Sequence, residues 1–183
     1  MKQLYSFNGH APSLDPSVFV APGVLLIGDV TTGEGSSFWY NTVVRADINP
    51  VVIGRYSNIQ DGCVVHEDSG RNSGKKDGLP TVIGDYVTVG HNVILHACTL
   101  EDYSLIGMGA IVMDGVVVGK GSVIGAGALV TKGTVIPPFS VVIGSPARVI
   151  RTMDPSSLEE RLKQAMHYHR LSLEHIASLA EET

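Results

Sequence analysis

An aliphatic residue returns every sixth position through most of the chain. From residue 106 onward the spacing is unbroken, and its aliphatic positions are Ile106, Val112, Val118, Ile124, Val130, Ile136 and Val142. A glycine often follows the aliphatic residue, as in IGMGAI, VGKGSV and IGAGAL. Earlier positions of the same kind are Ile53, Ile59, Ile83 and Val89. A period of six is too short for a helical repeat, so it predicts short strands joined by corners.

Three such units form one triangular coil of about 18 residues. Stacked coils pair each strand with the strands above and below, and the aliphatic side chains fill the interior. From Val18 to Ile150 the repeat predicts about seven coils. The sequence therefore predicts an all-β solenoid, a parallel β-helix, over residues 1–152. The segment at about 67–80 lacks aliphatic positions and is expected to loop outwards.

Residues 153–183 follow a different period. Pro155 and the two serines after it are helix-start signals, and apolar side chains then recur at helical spacing. The predicted apolar stripe consists of Leu158, Leu162, Ala165, Met166, His169, Leu173, Ile176 and Leu179 or Ala180. We expect one C-terminal amphipathic helix that packs this stripe against the solenoid or a neighbouring chain, where it covers strand edges.

Composition and charge narrow the classes of function. The chain has 183 residues, of which 44% are hydrophobic, and its formal net charge is −5. This acidic balance offers no basic surface for nucleic acid or for an anionic membrane. The first residues lack the apolar run of a signal peptide, and no segment has the apolar length of a membrane span. We therefore expect a cytoplasmic protein that acts on a small molecule.

The two cysteines are too few to indicate a disulfide framework, so reduced thiols are expected. Cys63 occupies an inward small position and is interpreted as inert core. Cys98 lies two residues after His96, which leaves a metal role open. The remaining histidines of the C-terminal segment, His167, His169 and His175, share no helical i, i+4 pair and are expected on the helix surface or in packing.

Three histidines stand in the most aliphatic part of the repeat. His66 and His96 each follow an aliphatic position by one residue and are 30 residues apart. One coil plus about 12 looped-out residues accounts for that separation, which predicts the two on one face about 5 Å apart in backbone. His91 lies around a corner, and five extended residues span up to about 16 Å. Because zinc–nitrogen bonds are about 2 Å long, we expect His91 to reach the metal of an adjacent chain in a three-fold ring.

Four motifs stand out in the repeat region: RAD at 45–47, NIQDG at 58–62, VVH at 64–66 and VGHNVILHAC at 89–98. They resemble the γ-class carbonic anhydrases of the hexapeptide-repeat superfamily, and the resemblance covers nearly the whole chain. This resemblance implies the left-handed form of the parallel β-helix and a homotrimer with metal sites at its interfaces. His66 and His96 would come from one chain and His91 from the next. Three imidazoles suit Zn²⁺, and equally Fe²⁺ or Co²⁺.

Three neutral imidazoles leave the fourth metal position open for water, which is typical of a catalytic site. The resemblance implies reversible hydration of carbon dioxide to bicarbonate by a metal-bound hydroxide at a subunit interface. Gln60 matches the family residue that hydrogen-bonds the hydroxide or bicarbonate. Arg45, Asp47 and Asp61 match positions that build the interface and support the ligands, with an expected Arg45 to Asp61 ion pair across chains.

One departure from the family pattern concerns proton transfer. Ile48 directly follows Asp47, where strongly active members carry an acidic residue. The outward loop offers acids and bases instead, namely Glu67, Asp68, Arg71, Lys75 and Lys76. Weak or conditional hydration activity is therefore predicted. Two alternatives stay open: an acyltransferase that uses acetyl-CoA with one histidine as general base, and a non-catalytic trimeric scaffold held together by metal.

Overall fold

The computed structural model describes residues 3–70 and 78–181. The strands are β1 (Leu4–Tyr5), β2 (Ser13–Leu14), β3 (Phe19–Val20), β4 (Leu25–Thr32), β5 (Ser37–Phe38), β6 (Val43–Ile53), β7 (Asn58–Ile59), β8 (Val64–His66), β9 (Thr81–Ile83), β10 (Thr88–Val89), β11 (Ile94–His96), β12 (Thr99–Leu100), β13 (Leu105–Ile106), β14 (Ile111–Val112), β15 (Val117–Val118), β16 (Val123–Ile124), β17 (Leu129–Val130), β18 (Val135–Ile136), β19 (Ser140–Gly144) and β20 (Ala147–Thr152). A 3-10 turn at Pro155–Ser157 then leads into the helix α1, Leu158–Glu181.

The strands stack into three faces of a prism. The first face runs β6–β8–β11–β14–β17, the second β6–β9–β12–β15–β18, and the third β3–β5–β7–β10–β13–β16–β19. The long strand β6 turns a corner and pairs with both β8 and β9. Neighbouring strands within each face are parallel. The parallel β-helix predicted from the repeat is thereby confirmed.

The predicted aliphatic positions fill the prism. Ile106, Val112 and Val118 are fully buried, and so are the corresponding residues of the earlier coils. One coil departs from the strict period of six, because the next inward aliphatic residue after the buried Leu95 is Leu100, only five positions later. The backbone makes up the difference at a tight corner where Ala97 has a positive φ of 48°. This short corner comes directly after His96.

Both ends of the solenoid differ from the repeat pattern. At the start, β1 and β2 pair in parallel with β4, so the solenoid begins before the predicted first repeat at Val18. At the other end, β20 folds back antiparallel on β19. This return strand supplies backbone partners to the last coil, which would otherwise present an open strand edge.

The helix α1 packs on the third face with only part of the predicted stripe. Ala165 is buried, Leu179 packs against the core, and Nδ1 of His169 lies 3.1 Å from the Gly35 carbonyl oxygen. Leu162, Leu173 and Ile176 are 37%, 50% and 44% exposed in the single chain, and their packing against a neighbouring chain stays a prediction. The face that packs contains Ala165, Tyr168, Leu171, Ser172, His175 and Leu179. Aromatic contacts explain why α1 turns Tyr168 and His175 towards the solenoid, because the rings of both residues lie edge-on to Trp39. In the described ranges no helix has the length and apolarity needed to cross a membrane.

Candidate metal centre

His66 and His96 are opposite each other on β8 and β11, one coil apart. Their ring nitrogens Nδ1 of His66 and Nε2 of His96 are 3.3 Å apart. Both side chains are partly buried at the prism edge between the first and second faces. Strand β8 ends at His66 and β9 begins at Thr81, and the strand register pairs His66 with His96 as the repeat frame predicts.

Each of these two imidazoles is hydrogen-bonded to a different aspartate. Oδ1 of Asp47 lies 3.1 Å from Nε2 of His66, and Oδ1 of Asp114 lies 2.9 Å from Nδ1 of His96. An ionised carboxylate can only accept, so the ring nitrogen that faces it must donate. This hydrogen-bond network assigns both tautomers. In the neutral form of each ring, Nδ1 of His66 and Nε2 of His96 are then the nitrogens with unshared electron pairs, and these two atoms face each other.

The facing nitrogens fit a metal ion better than they fit each other. Two lone pairs at 3.3 Å repel and cannot form a hydrogen bond without a shared proton. In a tetrahedral site with metal–nitrogen bonds of 2.0–2.1 Å, neighbouring nitrogens are about 3.3 Å apart. The pair thus has the donor type, the tautomers and the spacing for two ligands of Zn²⁺ or a similar divalent cation.

His91 lies on a different edge of the prism, between the third and first faces. Strand β11 separates it from His96, so this chain does not bring it together with the His66 and His96 pair. Nδ1 of His91 is 2.7 Å from Oδ2 of Asp61, and its side chain is partly exposed. Because Nδ1 of this ring is hydrogen-bonded to Asp61, the lone pair of Nε2 is left for a metal ion outside the chain. An aspartate thus holds His91 in the same way as an aspartate holds each of the other two histidines.

Gln60 belongs to the His91 edge of the molecule. It is buried, and its Nε2 donates to Oδ1 of Asn58 at 3.1 Å. A cavity of about 270 Å³ opens between the third face and α1. Its lining includes Gln60, His91, Met108, Gln164 and Tyr168. The two helix residues could not be assigned to this cavity from the sequence, because their position depends on how α1 is rotated.

Arg45 contacts Asp47 within the chain. Its Nη1 donates to both carboxylate oxygens at 2.7 and 2.6 Å. Burial alone would raise the pKa of Asp47, but the hydrogen bonds from Arg45 and His66 outweigh it and lower the pKa to about 2. Asp47 is therefore charged at neutral pH and holds the His66 ring. The expected ion pair between Arg45 and Asp61 of adjacent chains stays a prediction.

Glu67 and Asp68, the two acids that follow β8, are buried. Glu67 is 0% exposed, its Oε1 accepts from the backbone N–H of Ile48 at 2.9 Å, and it lies 3.5 Å from Nε2 of His66. Burial raises the pKa of Glu67. With Asp47 and His66 it forms a compact cluster of potential metal ligands. Glu67 thus offers no carboxylate to solvent, and the basic residues at 71, 75 and 76 lie outside the described part of the chain.

Neither cysteine belongs to the site. Cys63 and Cys98 are both buried in the aliphatic core. Burial raises the pKa of each thiol to about 12. A thiol with that pKa is protonated at neutral pH and is a poor metal ligand. The interpretation of Cys63 as core agrees with its position, and the geometry gives no support to a metal role for Cys98.

Known proteins resemble this chain along most of its length. A "Probable carbonic anhydrase" of Methanocaldococcus jannaschii is 48% identical over 159 residues, which cover 87% of this chain and 95% of that protein. The chain therefore belongs to the γ-class carbonic anhydrase family. The mitochondrial γ carbonic anhydrase 1 of Arabidopsis thaliana is 46% identical over 93% of this chain, although the match spans only 62% of that longer protein.

This γ-class carbonic anhydrase family member shares its fold with the wider group of hexapeptide-repeat proteins. The family model for the bacterial transferase hexapeptide, in six repeats, matches residues 97–132. The crystal structure of a hexapeptide transferase family protein from Anaplasma phagocytophilum is 39% identical, covers 93% of this chain and 96% of that one, and superposes with a TM-score of 0.84. Proteins similar to this chain therefore carry transferase names as well as carbonic anhydrase names.

Asp114 is the site residue that sequence reasoning missed. It stands 18 residues after His96, whereas the strand register there advances by only 17 residues. In the repeat frame the counterpart of His96 is therefore Met113, which follows Val112 as His96 follows Leu95. The frame that joined His66 to His96 gave no signal for Asp114, which stands one residue further along the chain.

Proposed function

We propose that the protein is a metal-dependent carbonic anhydrase that hydrates carbon dioxide reversibly to bicarbonate, with its sites shared between the subunits of a homotrimer. One observation carries the proposal: the lone pairs of His66 Nδ1 and His96 Nε2 face each other at 3.3 Å, with both tautomers held by aspartates. A structural histidine pair has no need for that arrangement, whereas a metal site does. The family membership points to the same chemistry.

The metal would be held by His66 and His96 of one chain and by His91 of the next. When bound, Zn²⁺ or Fe²⁺ would lower the pKa of a water molecule towards neutrality, which would supply the hydroxide that attacks carbon dioxide and release the proton to solvent. Asp47, Asp61 and Asp114 would keep the three imidazoles in the tautomers that present a free nitrogen to the metal. Gln60, on the same edge as His91, would hydrogen-bond the attacking water or the bicarbonate product.

The surface between the two edges supports a shared site. Val64, Ile94 and Ile111 point outward from adjacent strands of the first face and are 43%, 41% and 37% exposed. A contiguous apolar stripe of this kind is typical of a surface that another chain covers. It runs beside His66 and His96, so a second copy that buries it would bring its own edge close to the metal pair.

The test is stopped-flow hydration of carbon dioxide on protein purified without oxygen, with the metal content measured for each sample. Activity should rise in proportion to metal occupancy, and the His91→Ala variant should lose at least about 100-fold of the rate together with the metal. The matched control is His167→Ala, which removes an exposed helix histidine and should leave both unchanged. Full occupancy without hydration would favour the non-catalytic scaffold.

An acyltransferase is the second candidate, since a hexapeptide transferase family protein shares the fold at 39% identity. It would use one histidine as a general base and would not need the metal. Acetyl transfer from acetyl-CoA that survives removal of metal by a chelator would favour it over the anhydrase. The cytoplasmic location stays a prediction.

A further inference from the structure

Four side chains from four successive coils line up in one column, with a hydrogen bond at each end and the two facing imidazole nitrogens in the middle. In order they are Asp47, His66, His96 and Asp114, and the distances between their facing atoms are 3.1, 3.3 and 2.9 Å. The central gap is the pair of facing lone pairs. The two aspartates terminate the column at opposite ends. The two aspartates differ in whether a positively charged side chain is bonded to them.

Asp47 is neutralised by Arg45, whose guanidinium bonds both of its oxygens. Asp114 has no such partner: in residues 3–70 and 78–181 its side chain pairs with His96 alone. Its side chain is only 10% exposed. A nearly buried carboxylate with a neutral imidazole as its partner is costly to the fold. That cost is offset when a cation binds on the far side of the imidazole.

We propose that Asp114 is a positioning residue for the metal centre, which orients the His96 ring and keeps the Nε2 lone pair directed at His66. This inference rests on the proposed function, because it takes His66 and His96 to be metal ligands. Aspartates that bond the second nitrogen of a ligating histidine contribute about 10- to 100-fold to metal affinity. Asp114 is expected to contribute an effect of this size.

The experiment compares three variants of the full chain by Co²⁺ titration in competition with a chelator, followed by the visible spectrum of the bound ion. Asp114→Ala removes the acceptor and the charge, and it should weaken Co²⁺ binding about 10- to 100-fold. Asp114→Asn keeps an acceptor oxygen of similar size without the charge, and it should lie between Ala and the wild type. The control, Asp85→Asn, breaks a carboxylate–Arg55 pair of 2.8 Å elsewhere on the prism and should bind Co²⁺ normally.

A second readout tests the positioning without any metal. In the ¹⁵N spectrum of the metal-free protein, His96 should be protonated at Nδ1, and this preference should be lost in Asp114→Ala. An Nε2–H tautomer in the wild type would overturn the inference. So would unchanged Co²⁺ affinity in Asp114→Ala, or equal losses in Asp85→Asn, since equal losses indicate general destabilisation. Tight Co²⁺ binding without hydration, by contrast, would overturn the anhydrase proposal and leave the role of Asp114 standing.

Discussion

Nδ1 of His66 and Nε2 of His96 face each other at 3.3 Å, and the other nitrogen of each ring is bonded to an aspartate. Since both facing nitrogens are free acceptors, the pair should bind one divalent ion per site. His66→Ala should lower Zn²⁺ affinity at least about 100-fold because it removes a direct ligand. Equilibrium dialysis with metal analysis measures this. His10→Ala, an exposed histidine near Asp29, is the control, and full Zn²⁺ binding by His66→Ala would contradict the assignment.

A shared site makes a prediction about mixed trimers. His91→Ala and His96→Ala should each bind no metal at the interface when purified alone. After the two are unfolded and refolded together in equal amounts, about a quarter of the interfaces should join an intact His91 to an intact pair, because each side is intact in half of the chains. Metal content and hydration should return to about that fraction.

The mixing experiment has a clear opposite outcome. If all three ligands came from one chain, no mixture of the two variants could rebuild a site. The control is His91→Ala alone, unfolded and refolded by the same procedure, which should recover neither metal binding nor hydration. Recovery near zero in the true mixture, with trimers present by light scattering, would contradict the shared site.

Glu67 should make the metal-free protein sensitive to pH. Burial raises its folded-state pKa, so the ionised form destabilises the fold, and the penalty grows as pH rises from about 4 through the folded-state pKa. Glu67→Gln removes the charge and keeps an acceptor for the Ile48 N–H. We expect it to raise the melting temperature at pH 7 and to have little effect below about pH 4.

Thermal unfolding followed by circular dichroism at several pH values measures this difference. Glu174→Gln, on the exposed side of α1, should show no pH-dependent gain. A lower melting temperature for Glu67→Gln at pH 7 would mean that the ionised carboxylate stabilises the fold.

The two thiols should be unreactive in the folded protein. Cys63 and Cys98 are buried, and burial raises the pKa of each to about 12, so only about one thiol in ten thousand is ionised at pH 8. A colourimetric thiol reagent should modify neither cysteine at pH 8 and both after addition of denaturant. Rapid modification of the native protein would show that the core opens or that the thiols are accessible to solvent in the native fold.

The sequence by itself determined the solenoid, since a strict period of six specifies which side chains point inward in every coil. The same arithmetic placed His66 beside His96, because 30 residues equal one coil plus the segment that was predicted to loop out. It also separated His91 from them, because a corner lies between. These features follow from position along the chain, which a repeat converts directly into position in space.

Only the tertiary structure decided what these residues touch. The pairing of Asp114 with His96 crosses a coil whose register is one residue short. The burial of Glu67 depends on its contact with Ile48, at a corner where β6 departs from the repeat. The rotation of α1 follows the aromatic contacts of Trp39 rather than the apolar periodicity of the helix. Such contacts depend on side-chain geometry between coils, and a one-dimensional pattern carries no information about that geometry.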